Sequence, residues 1–494
     1  MSRTAVVLGV ALAYLGVSLF VGIVAGRKTG TSSAKGFVAA DRSFGLLLMY
    51  FVTGATIFSS FAFLGMPGWA YEKGGAALYV LSYGGVAMVP LYFIGPRIAA
   101  WGRRFGYLTQ ADFVADRFGG SVIPGLMAWV SLLAFLPYLV LQMKGAGYIL
   151  SAMTDGDVPE WLGALLPYLV VTLYVLFGGV RGVGATNVFQ GIFMLVVAWT
   201  LGLIIPYKLY GGIGPMFERI IAERPGHLVL PGPTGRSVAT YCSDVLVSTL
   251  GFTMWPHLFM KIFTSKSDRI LRQTVVLYPT FLLFLVPILF LGFAGVLWRE
   301  GVAPSDTILP LLVGESDFPL LVVGLFCAGG LAASMSSGDA IVHAASSVMI
   351  HDFVGRVRGG ISERGEALLM KGLVVVLGGV AYAIALTTKM DLVKLLLMGY
   401  GGVVQFFPPI LAGCYWRRAT REGVLAGLVA GVAVTASLHP DYGFVPSPWG
   451  LHPGVPGVVV NATLLVLVSL LTRPPADAGR FFPGSGSSSP ERAR

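Results

Sequence analysis

Charge is what this chain has least of. Lys, Arg, Asp and Glu together make up 12% of its 494 residues, about half the ~25% of a soluble domain. Burial in a bilayer accounts for that deficit; a large soluble core does not. Cysteine is nearly as scarce. Cys242, Cys327 and Cys414 lie far apart in apolar segments, which excludes a disulfide framework and a cysteine metal site. The six histidines are scattered, at 227, 257, 343, 351, 439 and 452. With no nucleophile–base pair and no metal-ligand spacing, an enzyme is not expected. What the chain has instead is 55% hydrophobic residues, 66 glycines and a mean hydropathy of +0.78. Small residues of this kind let helices approach closely in lipid.

A membrane span needs ~20 mostly apolar residues. The sequence predicts thirteen, at about 4–26, 44–70, 76–96, 124–151, 161–179, 186–207, 238–257, 272–297, 319–349, 369–388, 392–416, 422–438 and 454–472. The net charge of +10 is concentrated in alternate loops, among them Arg27, Lys28, Lys35 and Arg42, then Lys261, Lys266, Arg269 and Arg272, then Arg417, Arg418 and Arg421. Loops rich in Lys and Arg face the cytoplasm. The N-terminus is therefore expected outside, the C-terminus inside, and the chain multi-pass in the plasma membrane. The basic residues serve as topology signals, with no nucleic-acid role. After Arg473 the Pro/Gly/Ser-rich residues 474–494 read as a disordered cytoplasmic tail.

Such a plan fits channels, transporters and membrane enzymes alike, so function has to come from sites. Secondary transporters place theirs at broken helices near the midplane, in matching spans of two repeated halves. The second span runs Gly54-Ala55-Thr56-Ile57-Phe58-Ser59-Ser60, then Gly65-Met66-Pro67-Gly68, a poor continuous helix. Five spans later, 238–257 carries Ser248, Thr249, Gly251, Thr253 and Pro256. Small-residue packing is the plainer account of either stretch. The ninth span adds Ala332-Ala333-Ser334-Met335-Ser336-Ser337-Gly338-Asp339, with His343 a turn further on. Positions 333, 336, 337 and 340 share one helix face. Two hydroxyls on that face suit a small hard cation, although serines in membrane helices also bond back to their own backbone.

Three stretches resemble the sodium/solute symporter family. Gly54 to Gly68 is similar to its broken first core helix. Gly178-Gly179-Val180-Arg181-Gly182-Val183-Gly184-Ala185-Thr186-Asn187-Val188-Phe189-Gln190 is similar to its fourth-to-fifth helix signature. Gly413-Cys414-Tyr415-Trp416-Arg417-Arg418-Ala419-Thr420, with Gly423 and Gly427, is similar to its tenth-to-eleventh. The resemblance implies an all-α polytopic membrane protein of LeuT-like fold, a five-plus-five inverted repeat with one extra helix leading and two trailing. The units would be 1–43 (leading helix and loop), 44–207 (first repeat), 208–237 (external loop), 238–416 (second repeat) and 417–473 (trailing helices). It further implies a sodium site made by the carbonyls of Ala55, Phe58 and Ala333 and the hydroxyls of Ser336 and Ser337. Where many members have Thr-Asp, this chain has Thr186-Asn187, and Asp339 stands on the ninth span instead. Asn187, Asp339 and His343 are thus candidates for a second cation or a proton. Alternatively, Asp339 and His343, spaced i, i+4, form a structural couple.

Candidate solute-lining residues are Thr56, Ser59, Ser60, Gln142, Lys144, Trp255 and Gln405. Lys144 either pairs with a solute carboxylate or extends its stem to the outer headgroups. The segments Met398 to Pro408 and Ser337 to His343 are similar to a branch that moves short monocarboxylates, with amino acids such as proline or alanine the alternative. Sodium, the solute and the lipid bilayer are the expected partners, and no protein partner is indicated. Proton coupling, a solute sensor and a passive channel are rival readings. A sensor would need an output domain, for which the tail after Arg473 is too short.

Overall fold

The computed structural model describes residues 2–27, 33–233, 237–390, 392–440, 443–473 and 476–482. Every extended element there is helical, the single bridge between Phe44 and Ser265 apart. Among the described residues nine helical stretches are long and apolar enough to cross a membrane, with Leu46–Ile57 and Val238–Phe252 as shorter apolar helices.

The leading helix α1 spans Arg3–Gly26 and is N-capped by Ser2. The second expected span is two pieces: α2 (Leu46–Ile57), then a π-helical turn at Phe61–Gly65 that runs into α3 (Met66–Lys73). The next span is divided between α4 (Tyr79–Val86) and α5 (Val89–Phe105). A connector helix α6 (Gln110–Phe118) precedes the long α7 (Val122–Met153).

Two expected spans merge in α8 (Glu160–Tyr210). Its 51 residues would reach about 77 Å if straight, more than twice the ~30 Å hydrocarbon layer. Gly179 resolves the excess with a φ of 54° and ψ of −156°, a conformation that breaks the helix. Both ends of α8 return to one face of the molecule. Arg3 reaches the carbonyls of Met153 and Gly314 (both 3.1 Å) beside its start, and Lys208 near its end reaches the carbonyl of Asp317 (2.9 Å). The leading helix packs on this elbow backbone to backbone: a Cβ on Gly26 would lie 2.2 Å from the Gly178 Cα.

The second half repeats the interruption. Helix α9 (Val238–Phe252) stops before Pro256, and two single turns, α10 (Pro256–Phe259) and α11 (Lys261–Thr264), continue the path. Then come α12 (Asp268–Phe281), α13 (Leu285–Trp298), the buried α14 (Leu320–Val348) and α15 (Glu363–Ala385). The last core span is α16 (Leu392–Val403) with α17 (Phe407–Tyr415), and α18 (Arg421–Ser437) and α19 (Gly454–Leu471) trail behind.

Two expectations change. Part of the tail is packed, not disordered: Phe481 is 4% exposed with its ring 5.3 Å from Trp101, and Arg480 bridges Asp116 at 2.8 Å. An aromatic socket at the end of α5 supplies the reason, and residues 483–494 lie outside the described residues. Lys261, read from sequence as a loop charge, is buried at 6% exposure.

Candidate functional site: two broken helices facing α14

At the end of α2 the backbone leaves the helix at Phe58 (φ −81°, ψ 79°). That frees carbonyls on one side of the break and an N–H on the other, groups that cannot be left unpaired in lipid. Helix α14 satisfies the carbonyls: Ser336 Oγ donates to Ala55 O at 3.0 Å and to Ala333 O at 3.2 Å, and Ser337 Oγ donates to Thr56 O at 2.6 Å. Helix α7 satisfies the N–H, with Ser60 N donating to Gln142 Oε1 at 2.9 Å. Ala55, Ala333, Ser336 and Ser337, all fully buried, are thereby brought together. The Phe58 ring stacks on Phe281 (5.0 Å), and the carbonyl that Ser337 meets is that of Thr56, a residue outside the expected sodium set.

This donor set fits a small monovalent cation. It consists of oxygens alone, it lies at the C-terminal, negative end of α2, and no basic side chain is among these bonds. The carbonyls of Ala55, Thr56 and Ala333 and the two serine hydroxyls would hold the ion.

One turn along α14, Asp339 Oδ2 accepts from Tyr174 OH (2.7 Å) and Thr186 Oγ1 (3.4 Å). Asn187 Nδ2 donates to Thr56 Oγ1 at 3.1 Å, tying this group to the first break. Asn187 Oδ1 and Asp339 Oδ1 are buried without partners among the described residues. Lys261 is in electrostatic reach of Asp339. The expected Asp339–His343 couple does not form: His343 Nε2 bonds to Phe37 O at 2.8 Å and its ring lies on Phe37 (4.7 Å).

The second break faces an aromatic chamber. Trp255 lies 5.1 Å from Tyr138, 5.5 Å from Tyr400 and 5.7 Å from His257, ring to ring. Ile57, Phe61, Tyr83, Phe252 and Leu396 complete a narrow space of about 10 Å³. Ser59, whose Oγ accepts from Phe61 N (3.2 Å), faces the Tyr138 hydroxyl. Trp255 Nε1 and His257 Nδ1, on residues that line this space, are buried with no partner among the described residues, as are Gln142 Nε2 and Thr253 Oγ1, whose residues do not line it. Two such atoms on one lining suit a ligand, since orphaned polar groups are rare in native interiors.

Two expected lining residues belong elsewhere. Lys144 Nζ donates to the carbonyls of Thr388 (3.1 Å) and Met390 (2.9 Å), as a long stem reaching a helix-end loop does. Gln405 turns away from the chamber. Its Nε2 reaches Gly401 O, Thr435 Oγ1 and Gly454 O, and Asn461 donates to its carbonyls, so it fastens α16 to the trailing helices. Sequence reasoning missed His257, Tyr138, Tyr83 and Tyr400. Only His257 carried a signal, as a polar residue directly after the Pro256 of a broken span.

Two interrupted helices braced by one buried, serine-bearing helix are the architecture that secondary membrane transporters use. Residues 37–431 match the model of the sodium:solute symporter family, and the chain belongs to that family. A relative named as the uncharacterized symporter YhjB of Bacillus subtilis (strain 168) is 32% identical over 471 residues, covering 92% of this chain and 95% of that one. A monocarboxylate transport permease protein of Rhizobium johnstonii is 26% identical over 453 residues, covering 87% and 89%. The solved structure of a Na+-coupled sialic acid symporter in its substrate-bound outward-open state superposes with a TM-score of 0.80 at 17% identity, covering 95% and 98%. The fold is thus the LeuT-like one, and the protein is a multi-pass symporter that couples a solute to Na+.

Proposed function

We propose that this symporter imports a short monocarboxylate with one sodium ion by alternating access. The observation that carries the solute class is the polarity of the chamber. Trp255 Nε1 and His257 Nδ1, on residues that line it, are a buried donor and a donor-capable atom without partners among the described residues, and the residues lining the chamber include no Asp or Glu. Such a lining suits an anion: hydrogen bonds to a charged acceptor are the strong ones. An ammonium group would find no carboxylate there. The Rhizobium relative's name points to the same chemistry. An amino acid is the second reading, in which backbone carbonyls freed near Thr253 accept from the ammonium.

Sodium between Ala55, Thr56, Ala333, Ser336 and Ser337 fixes the α2 break against α14. The same break carries Ser59, Ser60 and Phe61 to the chamber, so ion binding shapes the solute's pocket. Movement of the broken helices against α7, α8 and α14 then exposes both ligands on the other side, with the N-terminus outside and the C-terminus in the cytoplasm. Lys261 offsets part of the charge of Asp339, and the proposed cycle carries one sodium. An anion carried with one sodium moves no net charge, so the ~2.3 kcal/mol per charge per 100 mV of membrane potential does not drive it.

The test is uptake into proteoliposomes under an inward sodium gradient. Labelled pyruvate, lactate or acetate should accumulate, insensitive to an imposed potential and uncompeted by sugars or nucleobases. Accumulation of proline or alanine in place of every short acid selects the second reading. Accumulation driven by a proton gradient alone refutes sodium as the coupling ion.

A further inference from the structure

Away from both breaks, at the end of the molecule that carries the basic loops, three elements converge on one histidine. Thr109 and Asp112 form a capping box at the start of α6, with Asp112 Oδ2 accepting from Leu108 N (2.8 Å) and Thr109 N (3.1 Å). Helix α14 does not stop at Val348 but continues through a π-helical turn, Met349–Val354. Neighbouring residues on an α-helix point about 100° apart. The wider turn turns His351 and Asp352 towards the same connector: His351 Nε2 lies 3.1 and 3.2 Å from the two Asp112 oxygens, and Asp352 Oδ1 accepts from Thr109 Oγ1 at 2.7 Å. Glu366, in the first turn of α15, holds His351 Nδ1 at 2.5 Å, and Arg356 bonds Asp112 Oδ1.

Two features exceed what a latch between helices requires. Asp352 is 1% exposed, and its Oδ2 has no partner, a costly arrangement in a purely structural contact. Also, a ligand atom of each of Asp112, His351 and Asp352 lies within 4.8 Å of the others, beside an open cavity of about 550 Å³ that Asp112, His351 and Arg356 line.

We propose that Asp112, His351 and Asp352 form a binding site for a divalent transition metal, zinc by preference. Imidazole nitrogen with carboxylate oxygens is a donor set that zinc accepts at ~2.0–2.2 Å. His351 Nε2, Asp112 and the orphaned Asp352 oxygen are the ligands, and the cavity supplies the entry path and a water ligand. Glu366 on Nδ1 is the outer carboxylate that orients a metal-bound histidine, and Arg356 does the same for Asp112. The ion takes the position of the Nε2 proton. Three carboxylates facing one arginine and one imidazolium leave a deficit of positive charge; a divalent ion with neutral imidazole removes it. Occupancy ties the α6 connector to the helix that carries Ser336 and Ser337.

The experiment uses the purified full-length protein in detergent, freed of any affinity tag. After equilibration with micromolar zinc and desalting, elemental analysis should find one zinc per chain in the wild type. His351→Gln and Asp352→Asn should each weaken retention more than tenfold, and Glu366→Gln should weaken it by roughly 10–100-fold. Cobalt(II) added to the wild type should give the visible absorption of a low-coordinate nitrogen/oxygen site, and zinc should bleach it. Wild type that keeps no zinc, or variants that keep it undiminished, overturn the proposal. If the variants aggregate, the wild-type cobalt spectrum decides alone, its presence supporting the site and its absence refuting it.

Discussion

The two broken helices are built alike and finished differently. At the first break the freed groups are met by side chains of other helices: Ser336 and Ser337 take the carbonyls of Ala55 and Thr56, and Gln142 takes the N–H of Ser60. At the second, Thr253 Oγ1, Trp255 Nε1 and His257 Nδ1 are buried and unmet. The backbone groups freed at the first break are thus bonded, while the second break holds buried side-chain atoms without partners among the described residues. Under the proposed function, the first break takes the ion and the second keeps its polar side chains for the solute. That contrast can be broken or sharpened by experiment.

The largest effect belongs to the first break. Ser336→Ala with Ser337→Ala removes two oxygen ligands and leaves two buried carbonyls unpaired. Each loss is worth about 1–3 kcal/mol, so sodium affinity should fall roughly a hundredfold or more. Equilibrium binding of radioactive sodium to purified protein reads this directly, and an unmoved isotherm would disprove the ion assignment. Next in size is the second break. His257→Gln or Trp255→Phe should raise the solute KM roughly tenfold through one lost hydrogen bond to a charged group, while sodium binding without solute stays put. A shift in sodium affinity of equal size would show that the breaks share one ligand.

The meeting of the first break with the α14 hydroxyls was legible from sequence because it rests on local patterns. Helix interruption is visible as Gly54, Ser59, Ser60 and Pro67 within an apolar run, and a hydroxyl pair shows on one face of the ninth span. The hydroxyls meet the carbonyl of Ala55, which was expected, and that of Thr56, which was not, because the direction of a carbonyl at a break depends on backbone angles that no residue type dictates. The aromatic chamber was far less legible. Tyr83, Tyr138 and Tyr400 sit on three different helices, in apolar runs where an aromatic residue is ordinarily core. The Asp339–His343 spacing suggested a couple, but other elements supply closer partners: the short helix Ala34–Ala39 after α1 offers the Phe37 carbonyl, and α8 offers Tyr174 and Thr186. Helical spacing states which residues share a face, not which neighbour arrives there.

The smallest effect on transport is expected where sequence alone suggested a solute contact. Lys144 spans to the carbonyls of Thr388 and Met390, and Gln405 is bound by Thr435 and Asn461 of the trailing helices. Neither group is turned to the aromatic chamber. Lys144→Met should therefore leave the solute KM within about twofold, since the lysine's bonds to a partly exposed loop contribute little on net. Gln405→Ala should also spare KM, yet it strands Thr435 and the Asn461 amide in a buried interface, so the protein should lose about 1–3 kcal/mol of stability. A thermal-melting series beside the uptake assay separates the two quantities. A tenfold rise in KM for Lys144→Met would move the anion's partner out of the chamber, and the contrast between the two breaks would lose its second half.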